Sequence, residues 1–245
     1  ITKALRDEVF DWDGEFYKIP KMSIRPRPMS NPEQRFYASS VSPESAEIMA
    51  KLGFGMMVIM QNEWTKAAKD IESFRTIARS VGHEPKPPLI LTNVSVAESR
   101  SEAFERGEQY LGAKWDSIDN HYKFSDGHLA TVKGYESYSK MAKTYSKMKD
   151  PEARKKMTKF YVKIQIVGTP DDCIQQISEL RELTGTDHIV CDFSYGGMPH
   201  QQGELNMRLF ASEVMPTLQR DAAFKKSIDQ PQVKEPQAED IFVPA

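Results

Sequence analysis

The chain has 245 residues, with 33 Lys and Arg against 35 Asp and Glu, a formal net charge of −2. That near-balance argues against a nucleic-acid binder, which carries a clear basic excess, and no apolar run reaches the ~18 residues that a membrane span needs. With only Cys173 and Cys191 present, a disulfide scaffold is excluded, and a reducing, cytoplasmic setting is expected.

The N-terminal stretch reads as a helix end over residues 1–10, a turn at Gly14, and an irregular link through Pro20, Pro26, Pro28 and Pro32. Four short β-type runs follow, at residues 36–39, 56–60, 89–94 and 188–193. Three are nearly continuous apolar stretches, the pattern of strands covered on both faces. Each has a helical segment beside it. Residues 42–52 carry Ile48, Met49 and Leu52 at helical spacing. Residues 65–81 place Ala68, Ile71, Phe74, Ile77 and Ala78 on one stripe, and residues 169–183 do the same with Cys173, Ile174, Ile177, Leu180 and Leu183. Alternating strand and helix predicts an α/β fold with a parallel sheet. Ser42-Pro43-Glu44 and Thr169-Pro170-Asp171 each set a capping hydroxyl before Pro at the first helical position, then an acid in the first turn.

Between the third run and Thr169 lies an insertion, residues 95–168, of helical character, broken near Ser125-Asp126-Gly127 and at Lys149-Asp150-Pro151. Tyr138-Ser139-Lys140-Met141 recurs as Tyr145-Ser146-Lys147-Met148, so both copies fall on nearly one helix face. From Lys133 to Lys163 there are ten basic residues against three acids. Two readings stay open: a solvated helix pair with one apolar face, or a mobile lid or docking surface for an anionic group. Beyond Arg220, residues 221–245 lose their periodicity and read as a flexible tail. Four strand–helix units do not close an eight-stranded barrel, which runs ~250 residues without insertions. The expectation is therefore that residues 1–220 are the second half of a larger domain.

Five segments, in order, resemble the bacterial-luciferase-like flavin monooxygenases over about residues 10–218. They are Trp12-Asp13-Gly14-Glu15-Phe16-Tyr17, Arg25-Pro26-Arg27-Pro28, the stretch from Tyr37-Ala38-Ser39-Ser40 to Ala50-Lys51-Leu52-Gly53, Val167-Gly168-Thr169-Pro170-Asp171, and Phe210-Ala211-Ser212-Glu213-Val214-Met215-Pro216. The resemblance implies a (β/α)8 TIM barrel represented by strands five to eight, with the helical insertion before the seventh helix. It further implies reduced FMN, supplied by a flavin reductase or NAD(P)H, O2 as co-substrate, a small organic substrate and a homodimer. The family's residue near the flavin ring belongs to strands one to four, so the catalytic residues stay unassigned. A deazaflavin-dependent dehydrogenase shares the barrel and is the alternative; a non-catalytic half-barrel or binding module needing a partner chain is another.

Site candidates follow from both lines. Ser39, Ser40, Val41, Ser42 and Ser45 lie where a strand's end meets a helix start, where unpaired N–H groups favour a phosphate; plain capping is the other reading. The resemblance assigns this loop to the flavin phosphate. Thr169 has similar grammar, but Asp171 and Asp172 would repel an anion, so that start reads as structural. Met60, Gln61, Asn62 and Glu63 after the second run, and Asn93, Val94 and Ser95 after the third, are pocket-lining candidates or ordinary loop polarity. Tyr195 and His200 flank Gly196-Gly197, which permit close backbone approach to a ligand or simply turn the chain. His200 is also a candidate acid–base. His121 and His128 lack a third metal ligand, and both cysteines read as core thiols.

Overall fold

A computed structural model describes residues 1–28, 32–39, 43–132, 135 and 138–221. After a short helix α1 (Thr2–Arg6), strands β1 (Phe10–Asp13) and β2 (Lys18–Met22) pair as an antiparallel hairpin. This corrects the irregular link expected there; Pro20 is tolerated because a two-stranded ribbon has an unpaired edge on each strand. The Arg27 guanidinium holds the end of α1, donating to the carbonyls of Ala4, Leu5, Arg6 and Asp7 at 2.9–3.2 Å.

Strands β3 (Tyr37–Ser39), β4 (Gly55–Ile59), β5 (Leu89–Val96), β6 (Ile166–Gly168) and β7 (His188–Asp192) form the sheet. All its pairings are parallel, and the long arc runs β3–β4–β5–β7. Helix α2 (Pro43–Lys51) follows β3, α3 (Trp64–Ser80) follows β4, and α7 (Pro170–Thr184) precedes β7. The insertion holds α4 (Arg100–Tyr122), α5 (Tyr138–Lys147) and α6 (Pro151–Lys163). It is shorter at both ends than expected, since Ser95 and Val96 continue β5 and residues 166–168 make β6. Tyr138 and Tyr145 both pack against Phe124 with tilted rings, centroids 5.5 and 5.3 Å away, as their shared helix face predicts. Lys143, Lys147, Lys155, Lys156 and Lys159 face solvent while Tyr145, Tyr161 and Val162 are buried, which is the solvated-pair arrangement. The tail from residue 222 lies outside the described residues.

The strands' two faces differ sharply. Met56, Met60, Ile90 and Val94 join Ala67, Ile71 and Phe74 of α3 and Cys173, Ile177 and Leu180 of α7 in one core. Alternate residues on the opposite, concave face stay partly open: Met57, Ile59, Leu89 and Leu91 are half-buried and Val190 is 42% exposed. No strand pairs with the outer edge of β3 or β7 among the described residues.

Two buried side-chain amides prolong β5 past its neighbours. Gln165 donates from Nε2 to the Met60 carbonyl at 3.0 Å, while its Oε1 accepts from Asn93 N at 2.8 Å and Thr92 Oγ1 at 3.1 Å. On the other edge Asn206, in α8 (His200–Leu209), donates to the Val94 and Phe193 carbonyls at 2.7 and 3.1 Å. Its Oδ1 accepts from Val96 N at 2.8 Å. Each amide stands in for a strand's own peptide group, so no buried backbone donor is stranded there. Helix α8 then passes through a π turn, Phe210–Val214, into α9 (Met215–Arg220), where Pro216 lacks the N–H that a regular helix would use.

Candidate active-site rim

Because the four strands are parallel, their C-terminal ends share one rim, the side on which barrel active sites lie. At one end of the rim, Ser39 closes β3 with an exposed side chain, and α2 begins at Pro43. Ser40, Val41 and Ser42 lie outside the described residues, and Ser45 sits half-buried in the first turn of α2. Thr169 does build a structural start: its Oγ1 accepts from Asp172 N at 3.4 Å, and Asp172 Oδ2 accepts from Thr169 N at 3.0 Å.

At the other end lies a polar cluster that the sequence reading did not assemble. Asn93 and Asp192 are register partners of β5 and β7 on the concave face. Asn93 Nδ2 donates to Asp192 Oδ2 at 2.9 Å, and Lys114 Nζ, from α4, donates to the same oxygen at 3.0 Å. Lys114 also lies 3.4 Å from Asn93 Oδ1 and 5.7 Å from the Tyr195 ring centroid. The side chains of Lys114 and Asp192 keep 25% and 34% of their surface open. Tyr195 is buried, and its hydroxyl donates to the Val94 carbonyl at 3.2 Å. Burial, with the charge of Asp192, pushes the Tyr161 phenol up to about 12, so it stays a neutral donor.

Gly196 explains how α4 is brought to this rim. It adopts φ +61°, and a Cβ there would fall 1.9 Å from the Tyr110 carbonyl oxygen and 2.9 Å from Lys114 N. The close approach that glycine permits is thus to the backbone of α4, and it fixes where Lys114 emerges. The next residue of α4, Trp115, lines a cavity of about 320 Å³ together with Gln61, Tyr138, Lys140, Tyr145, Phe160 and Tyr161. Gln61 therefore reaches this cavity. Met60, 1% exposed in the helix-side core, does not line it; with Gln61 it borders a smaller one of about 70 Å³. His200 is exposed at the start of α8, with Glu204 as its charged neighbour. Burial raises the Cys173 thiol to about 12 and that of Cys191 to about 11, which keeps both protonated and poor nucleophiles.

The model of one family, luciferase-like monooxygenase, matches residues 1–188. The chain belongs to that family. Among luciferase-like relatives, the alkanal monooxygenase alpha chain of Photorhabdus luminescens is 25% identical over 226 residues, covering 91% of this chain and 62% of its own. The chain thus spans about three fifths of that relative's length. Solved structures agree on the fold. The FMN-bound oxygenating constituent of 3,6-diketocamphane monooxygenase from Pseudomonas putida superposes with a TM-score of 0.55 at 16% identity, over 88% of this chain and 60% of its own. A coenzyme F420 dependent tetrahydromethanopterin reductase from Methanopyrus kandleri gives 0.56 at 15%, over the same shares. The described arc is therefore a partial barrel of luciferase-like type.

Proposed function

We propose that this chain is the flavin-phosphate side of a luciferase-like barrel, its strands five to eight, in an enzyme that uses reduced FMN and O2 to oxygenate a small organic substrate. The observation that carries this reading is the open parallel arc, whose strands end at one rim above a largely apolar concave face that is only partly buried among the described residues. Two features fit a flavin. Ser39 and the start of α2 place hydroxyl and backbone donors at a helix N-terminus, suited to a phosphate. The face of Met57, Ile59, Leu89 and Leu91 suits the apolar side of a flat ring. When bound, the reduced flavin supplies the electrons for O2 activation. The residues of this chain hold the phosphate, orient the ring and keep water away from it. A separate flavin reductase and a second copy of the chain complete the proposed assembly.

A deazaflavin-dependent dehydrogenase is the second reading, favoured by the likeness to the Methanopyrus kandleri reductase. Titration of the protein with FMN and with riboflavin tests the phosphate site. FMN is expected to bind about tenfold or more tighter, because hydrogen bonds to a charged group are the stronger kind. Ser39→Ala combined with Ser42→Ala should bring the two affinities close together. Equal wild-type affinities would remove the phosphate assignment. O2 uptake with reduced FMN, against anaerobic turnover with a deazaflavin, separates the two chemistries.

A further inference from the structure

We propose that Lys114 and Asp192 together set the charge selectivity of the rim. They admit neutral molecules that carry a carbonyl or hydroxyl oxygen and turn carboxylates away, and Asp192 is what keeps Lys114 from acting as an anion site. The inference rests on reading the rim as the substrate site, and is independent of which flavin serves it.

Three observations lead here. The Lys114 ammonium has three N–H donors; two are directed at Asp192 Oδ2 and Asn93 Oδ1, and the third has no partner among the described residues. The side chain is nonetheless a quarter exposed. Secondly, the pair is electrically neutral. A carboxylate reaching for the third N–H must also approach Asp192, whose partly exposed carboxylate lies 3.0 Å from the Lys114 ammonium, and the two like charges oppose each other. A hydrocarbon would strip water from the pair and return no hydrogen bond. A ketone or alcohol oxygen accepts the free N–H and brings no charge. Thirdly, the next residue of α4, Trp115, lines the largely aromatic cavity whose one charged lining residue is Lys140, and its indole Nε1–H is buried without an acceptor among the described residues. Tyr161, whose ring is 4.6 Å from that of Trp115, joins this aromatic wall to the neighbourhood of Asp192. An aromatic wall for the hydrocarbon part and one open N–H for an oxygen are thus carried by consecutive residues of α4.

The test uses acetophenone and benzoate, which share a ring and differ in charge, titrated into the protein with ligand-observed NMR and no flavin present. The wild type should bind acetophenone about fivefold or more tighter than benzoate. Asp192→Asn leaves the Lys114 charge unbalanced and should reverse that order, moving the affinity ratio by about a hundredfold. Lys114→Gln gives an independent arm: it leaves Asp192 without its cation, so benzoate should bind more weakly still. A wild type that prefers benzoate, a ratio unmoved in Asp192→Asn, or no binding of either probe overturns the inference. FMN titration of the same samples is scored apart: normal flavin binding with an unmoved ratio removes this inference alone, and a reversed ratio without flavin binding removes only the flavin reading.

Discussion

Single residues account for much of what this rim can do. Lys114 and Asp192 are 78 positions apart, and each in isolation reads as ordinary helix or strand polarity, which is why the sequence points to the serines and to Gln61 but not to this pair. Asp172 offers a cleaner electrostatic case. Arg100 donates to both its oxygens at 2.7 and 2.5 Å, and this, more than any other contact, holds its carboxyl down to about 2. The folded value lies below the unfolded one, so the contribution is full above about pH 4 and is lost as pH falls toward 2. Arg100 is 74% exposed, and screening by solvent keeps the contribution to roughly 1 kcal/mol. Urea unfolding of Asp172→Asn should therefore show a deficit of about that size at neutral pH. The deficit should shrink towards zero near pH 2; one that persists there would point to the Thr169 cap instead.

At the level of elements, the apolar runs of β4, β5 and β7 and the Pro-marked start of α7 are plain from the order of residues, because both faces of these strands carry apolar side chains and so leave a continuous signal. Other elements left none. Strand β6 is three residues long and follows α6 without a break in apolar pattern, and the β1–β2 hairpin exposes most of its side chains. Asn206 is the least legible of all, a polar residue inside a helix whose task is to end a sheet. Replacing it with Ala takes the partner from the Phe193 carbonyl and the Val96 amide and leaves the Val94 carbonyl to Tyr195 alone. At ~1 kcal/mol or more for each of these two stranded groups, denaturant unfolding should show a loss of about 2 kcal/mol or more. Tyr195→Phe removes only one donor from the Val94 carbonyl, which Asn206 still serves, and should cost about 1 kcal/mol. Equal losses in the two variants would contradict this division of labour.

For the whole molecule, the two faces of the arc predict an asymmetry between adjacent residues. Ile90 is fully buried on the helix side, and Leu91 faces the open concavity. In chemical denaturation Ile90→Ala should cost about 2–5 kcal/mol, the usual range for a core truncation. Leu91→Ala and Val190→Ala should each cost under about 1 kcal/mol. Comparable costs at Ile90 and Leu91 would mean that the concave face is covered after all.

The pairing of Val94 with Ile166 and of Val96 with Gly168 has a broader consequence. The polypeptide that builds α4, α5 and α6 departs from the sheet and rejoins it at adjoining points, like a cassette with both ends in one socket. Such a segment can be lengthened, trimmed or exchanged without altering how the parallel strands are aligned. Chemistry at the mouth can therefore diversify while the scaffold beneath stays as it is.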